Sequence, residues 1–255
     1  MAVILELENI TKKFFSQKKE ILAVDNVSLK VRNNEFLSIV GPSGCGKSTI
    51  LRMIAGLETP TSGKILLENK EVNEPDADRG MVFQQYTLLP WRTVLENVTF
   101  GLEVKGMPKS ERIDIARKFI KMVGLEGFEE AYPYELSGGM QQRVAIARTL
   151  ANDPKIVLMD EPFGALDTQT RAILQDHLLK IWQKDRKTVV FVTHSVEEAI
   201  YLSDRVIIMT ARPGKIKSVI DIDLERPRKR TSLEFLEYKK RIIDELKSEV
   251  FKSYK

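Results

Sequence analysis

The stretch GPSGCGKST at residues 41–49, met directly after the apolar run FLSIV at 36–40, constrains this chain more than any other. Gly41, Gly46, Lys47 and Ser48 satisfy the spacing G-x-x-x-x-G-K-[ST]. In that pattern the glycines let backbone N–H groups turn inward onto a polyphosphate. The following helix N-terminus adds a favourable dipole, the lysine reaches terminal phosphates, and the serine hydroxyl can ligate Mg²⁺. The implied order is strand, loop, helix. The helix begins near Gly46, carries Ile50, Leu51, Met53, Ile54 and Leu57 on one face, and is closed by Gly56 and Pro60. The competing reading is a glycine-rich turn that binds nothing, and the position between strand and helix weighs against it.

The remainder of the chain has the content of a globular protein. Its 255 residues suit one large domain or two small ones, and 43% hydrophobic with 30% charged residues excludes a disordered or low-complexity polymer. No apolar run approaches the roughly 18 residues of a membrane span. The opening MAVILELENITKK has no charged region followed by a cleavage site, so a cytosolic address is expected. Cys45 is the only cysteine, which excludes an internal disulfide and a multi-cysteine zinc site. The net charge of +4 is uneven: residues 226–255 carry +5 and everything before them −1. A body so near neutrality argues against a nucleic-acid surface, which normally shows as a basic stripe.

Further strands are expected at 65–68, 80–83, 156–159, 187–193 and 205–209. Helical spacing is read at 94–101, 109–123, 128–134 and 140–151, the last stopped by Asn152-Asp153-Pro154. Uninterrupted apolar strands alternating with helices point to an α/β fold with a parallel sheet buried on both faces. Residues of about 86–137 read as an inserted helical subdomain within a core of about 1–85 and 138–225, followed by a basic helical tail of about 226–255.

Asp160 and Glu161 end the apolar run IVLMDEP, where open α/β sheets place their ligands. Beside a phosphate loop, Asp160 is suited to hold hydrated Mg²⁺ and Glu161 to orient or deprotonate an attacking water; alone, the pair could cap a turn. LSGGM at 136–140 opens a helix, and Ser137 with two glycines makes either a second anion site or an ordinary serine N-cap.

The ordered blocks GPSGCGKST, VFQQ, LSGGM, IVLMDEP, GALD and FVTHS resemble the ATP-binding subunits of ABC transporters over nearly the whole chain. The resemblance implies a P-loop NTPase (RecA-like) core with an antiparallel β subdomain and an inserted α-helical subdomain, binding ATP and Mg²⁺. Gly41, Pro42, Ser43, Gly44, Cys45, Gly46, Lys47, Ser48 and Thr49 would form the phosphate loop. Phe14, with Phe15 as its rival in register, resembles the aromatic that stacks on adenine, against the reading of a core aromatic. Gln84 resembles the glutamine that contacts Mg²⁺ and the attacking water, joining Ser48 and Asp160 at the metal. His194 resembles the residue touching the γ-phosphate, while His177, mid-helix, reads as structural. Two copies would pair head to tail, with Ser137, Gly138, Gly139 and Met140 of one closing on ATP held by the other and Asp167 crossing between them. Met140 departs from the usual glutamine, at the position of the motif that supplies least chemistry. Cys45 reads as a spectator whose alkylation blocks nucleotide entry.

LLPWRTVLENVTFGLEVKG, DEPFGALDTQTR, ARPGKI and DLERPRKR resemble the nitrate, sulfonate and taurine importer group. That implies separate transmembrane permease subunits, an extracytoplasmic solute-binding protein, and a peripheral place on the cytoplasmic membrane face. Leu88, Leu89 and Trp91 would receive a helix of the permease, against core burial for Trp91; Trp182 reads as core. The chain is also expected to lack the C-terminal regulatory domain of sugar importers. In the tail, Leu236, Ile243, Leu246 and Val250 fall on one helical face, expected to dock on the chain's own core rather than on lipid or a partner. A soluble ABC-type ATPase of DNA repair or translation is the rival function, disfavoured because such relatives fuse two halves or insert long coiled coils. A regulator that hydrolyses little is disfavoured by Glu161 and His194.

Overall fold

The computed structural model describes residues 2–16, 19–164 and 166–253. In chain order the first elements are β1 (Val3–Ser16), β2 (Lys19–Arg32), β3 (Phe36–Val40), α1 (Lys47–Ala55), β4 (Ser62–Leu67), β5 (Lys70–Glu71) and β6 (Arg79–Val82). Then come α2 (Val94–Val104), α3 (Lys109–Met122), a 3-10 turn (Pro133–Glu135), α4 (Gly138–Ala151), β7 (Ile156–Asp160) and α5 (Thr168–Lys184). The chain closes with β8 (Thr188–Val192), α6 (Val196–Leu202), β9 (Arg205–Met209), β10 (Ile216–Asp221) and α7 (Leu233–Ser253). Contacts divide the chain into one unit of residues 1–76 and 187–255 and a second of residues 77–186.

The first unit holds an antiparallel sheet in the order β2-β1-β4-β5. It also holds parallel neighbours β9, β3 and β8, with β10 antiparallel on β9. Every residue of β3 and β8 is buried, as uninterrupted apolar runs require when both faces of a sheet are covered. Phe36 pairs with Val189 and Ile39 with Val192, so the loops after β3 and β8 leave the same carboxyl end. α1 buries Ile50, Leu51, Met53 and Ile54. It stops at Gly56, whose φ of +77° and N–H bond to the Met53 carbonyl close the last turn. A Cβ there would meet the Glu74 carbonyl oxygen at 2.3 Å, so only glycine fits. Leu57 therefore lies past the helix and is exposed, a correction to its expected place on the buried face.

The tail helix docks within this unit, but by a different face from the one expected. Phe235, Ile242 and Glu249, seven residues apart, are buried, whereas Leu236 is 46% exposed and Ile243 and Leu246 are half-buried. The Val250 side chain lies outside the described residues. The expected set missed the face that carries Phe235 and Ile242 because Glu249, a carboxylate, continues that face and is buried only by virtue of its partners. Lys239 bonds Glu197 of α6 at 3.0 Å, and Lys217 of β10 reaches Glu249 at 3.2 Å.

In the second unit β6 and β7 pair in parallel, Val82 opposite Met159, so the segments carrying Gln84 and Glu161 leave one end together. α2, α3 and α4 pack on one another. Thr93 caps α2 reciprocally with Glu96, which fixes its start. Residues 128–134 form turns leading into the 3-10 turn, not the expected helix; Pro133 stops an α-helix and Gly127 at φ +86° reverses the chain before one can start. Trp182 is buried, as expected.

Candidate nucleotide-binding site

The chain turns from β3 into α1 through a loop whose glycines are fixed by space as well as by torsion. Gly44 and Gly46 hold φ of +74° and +96°, and a Cβ on Gly46 would meet Val24 Cγ2 at 2.8 Å and the Ala23 carbonyl oxygen at 3.0 Å. Pro42 and Cys45 are buried, Ser43 and Gly44 line the exposed lip, and Ser48 and Thr49 are half-buried. Lys47 is folded back over the loop, its Nζ donating to the Gly41 and Pro42 carbonyls at 2.9 Å each. No side chain caps the start of α1 and no acid sits in its first turn. The loop therefore joins one buried ammonium to a helix start with no acid in its first turn, which fits a polyphosphate. Burial pushes the Cys45 thiol above its usual range, Lys47 opposing only in part, so the group stays protonated and hidden.

His194 follows β8 at the same carboxyl end and is exposed. Buried Thr193 anchors the turn beneath it, its hydroxyl donating to Glu198 at 2.6 Å and accepting from the Ser195 N–H at 3.0 Å. Phe14 and Phe15 lie near the end of β1, 38% and 75% exposed, so neither is a core aromatic. The Lys12 ammonium stands 5.1 Å from the centre of the Phe14 ring.

In the second unit Asp160 ends β7 as a buried acid, and Glu161 follows with φ +45°. A non-glycine residue held there costs about 1 kcal/mol or more. A methyl group on Gly164 would come within 3.7 Å of Gln84 Nε2 and 3.9 Å of Glu161 Oε2, so these two side chains converge on one spot.

Ser137 caps α4, its hydroxyl accepting from the Met140 N–H at 3.3 Å, so the ordinary capping reading holds in the isolated chain. A Cβ on Gly138 would meet Tyr86 Oη at 2.7 Å and one on Gly139 would meet Thr170 Cγ2 at 2.7 Å, so a larger residue at either would displace the end of that side chain. Asp167 caps α5, accepting from the Gln169 and Thr170 N–H groups at 3.0 Å; the Thr170 side chain first, and then these backbone bonds, hold its carboxyl below the usual range. Trp91 is 71% exposed, which removes the core reading; Leu88 and Leu89 are half-buried. Buried Asn97 supports this segment, accepting from the Leu89 N–H and donating to the Leu89, Arg92 and Thr93 carbonyls.

Sequence reasoning missed the Tyr86 hydroxyl over Gly138 and the wall that Ala23 and Val24 raise behind Gly46. Neither has a sequence signal, because each is a contact between segments far apart in the chain. The Thr93-Glu96 capping box could have been found from the T-x-x-E spacing.

Residues 24–164 match the family model described as ABC transporter. The chain is 71% identical over its whole length to an uncharacterized ABC transporter ATP-binding protein of Methanocaldococcus jannaschii, covering 96% of that protein. It is 49% identical over 231 residues to the nitrate import ATP-binding protein NrtD of Synechocystis, spanning 89% of this chain and 87% of the relative. To the aliphatic sulfonates import ATP-binding protein SsuB of Bacillus cereus it is 42% identical, spanning 94% and 95%. Among solved structures it is similar to the dimeric ATP-binding cassette MJ0796 in a post-hydrolysis state bound to ADP and Pi, with a TM-score of 0.77, 40% identity, and 87% and 100% of the two chains covered. With the phosphate loop, the converging Gln84 and Glu161 and these likenesses together, the chain belongs to the ABC transporter family as an ATP-binding, ATP-hydrolysing subunit.

Proposed function

We propose that this chain drives an importer for a small solute of the nitrate, sulfonate or taurine type, working as a head-to-tail pair of copies beneath separate permease subunits. The observation that carries the reading is the uncapped, acid-free start of α1 behind a loop closed by Lys47. Names of the nitrate and sulfonate relatives support the importer branch. Gly41 to Thr49 would wrap the phosphates, Lys47 turning from loop carbonyls to terminal phosphate oxygens, and Phe14 would stack on adenine. Ser48, Asp160 and Gln84 would hold Mg²⁺, which when bound neutralises charge on the phosphates. Glu161 would accept the proton of the attacking water and His194 would bond the γ-phosphate. Ser137, with Gly138, Gly139 and Met140, would close the site from the other copy, and Asp167 would lie at that junction.

No helix among the described residues is long and apolar enough to cross a membrane, which suits a peripheral subunit on the cytoplasmic face. Exposed Trp91 with Leu88 and Leu89 is the proposed seat for the permease, through which an extracytoplasmic solute-binding protein is engaged indirectly; nucleic acid has no part in the scheme. Glu161→Gln should lower turnover by about a hundred- to a thousandfold while ATP still binds and a dimer accumulates. Wild-type turnover in that variant would remove Glu161 as the base.

A further inference from the structure

Behind the phosphate loop lies a chain of contacts that starts in the tail helix. The Glu249 carboxylate of α7, buried, accepts the Ala211 N–H at 3.1 Å and lies 3.2 Å from Lys217 Nζ. Lys217 is held in turn by the Glu245 carbonyl and the Ser248 hydroxyl, at 2.6 Å each. One residue past Ala211, the Arg212 Nε donates to the Gly44 carbonyl at the lip of the phosphate loop, at 3.3 Å. The segment that carries Arg212 is locked by its own bonds: Thr210 donates to the Pro213 carbonyl at 2.9 Å, and Gly214 exchanges N–H and carbonyl bonds with Ala23 and Asp25 of β2. It is also pressed against the loop, since a Cβ on Gly214 would fall 1.9 Å from the Cys45 carbonyl oxygen.

A trans peptide carries its N–H opposite its carbonyl. Holding the Gly44 carbonyl fixes the direction of the Cys45 N–H across the same peptide, and that N–H makes a long 3.4 Å bond to the Pro42 carbonyl. That N–H is one of the donors a polyphosphate would use.

We infer that Arg212, steadied by Glu249 of α7, is a positioning residue for the phosphate loop, so that the tail helix presets the peptide that receives the nucleotide. The inference rests on the proposed binding of ATP to this loop. Its balance is one of orientation alone: no bond is made or broken, and the cost of turning the 44–45 peptide is met on folding rather than on binding.

The experiment is ATP-dependent turnover and ATP binding by the full chain carrying Arg212→Ala, Arg212→Lys, Glu249→Gln or Glu249→Ala. Loss of a charge-assisted bond that acts on binding predicts a KM for ATP raised about five- to tenfold in Arg212→Ala, with kcat at saturating ATP lowered less than twofold. Arg212→Lys, which keeps a donor, should recover most of the affinity. Glu249→Ala should reproduce the shift more weakly, and Glu249→Gln, which still accepts from Ala211, should fall nearer the parent. Arg212 is exposed, so its replacement tests the idea without endangering the fold. An unchanged KM in Arg212→Ala would overturn the inference, as would equal loss in kcat and affinity with no recovery by lysine. Absence of ATP binding in the parent chain would instead overturn the reading on which it rests.

Discussion

Two helices of this protein begin after a glycine-bearing turn, and they begin in different physical states. At α1 no side chain caps the first turn, both flanking glycines of the lip have positive φ, and a buried lysine closes the loop from within. At α4 the cap is already made, by Ser137 onto the Met140 N–H, and neither Gly138 nor Gly139 has positive φ; the end of the Tyr86 or Thr170 side chain lies close over each. The first start has no side-chain cap on its own turn. The second is satisfied by itself, and its long 3.3 Å cap is a bond that can be exchanged for a better acceptor. Similar letters in a sequence thus mark two helix starts in different local states, which accords with the proposal that the second works only against a nucleotide held elsewhere.

The comparison can be broken most severely at Lys47. Lys47→Ala removes the only buried ammonium of the loop and should weaken ATP binding by the isolated chain about ten- to a hundredfold, read by equilibrium titration. Gly46→Ala comes next: with φ at +96° and Val24 in the way, it should cost about 1–3 kcal/mol in denaturant unfolding as well as binding. Ser137→Ala should act on the other half alone, costing about 1 kcal/mol of stability through the lost cap and lowering turnover, while ATP affinity of the isolated chain stays close to the parent's. Equal loss of affinity at Ser137 and Lys47 would erase the distinction between the two helix starts. Asp167 offers a smaller effect with a defined sign. Its carboxyl is held below the ordinary 3.8, so the cap it gives α5 is in force above that pH and is lost as pH falls through the depressed value. Asp167→Asn should therefore flatten the acid limb of the unfolding curve. Smallest of all, thiol reagents at neutral pH should modify Cys45 slowly in the folded chain and quickly once it is unfolded, because the group is buried and its ionisation is suppressed.

What could be read from the letters follows from how local the physics is. β3, β7 and β8 were legible because a strand covered on both faces is apolar at every position, and the phosphate loop because its requirements fall within nine residues. β1 and β2 were not read residue by residue: Asn9 and Asn26 take positive φ, and the pairing shifts register between Leu7 and Ile10, so the two-residue alternation changes phase partway along. The tail was legible as a helix but not in its rotation, since Glu249 reads as solvent-facing until Ala211 and Lys217 are brought to it. Within the candidate site the residues of the motifs were identifiable one by one, whereas Tyr86, Ala23 and Arg212 act through contacts that no spacing encodes.

The central claim, that two copies each lend half of an ATP site, is tested most directly by the structure of the Glu161→Gln variant trapped with ATP and Mg²⁺. The account predicts Ser137 Oγ of one copy at about 3 Å from a phosphate oxygen of the triphosphate wrapped by Lys47 of the other. A trapped complex in which Ser137 keeps its bond to Met140 and lies far from any nucleotide would contradict it.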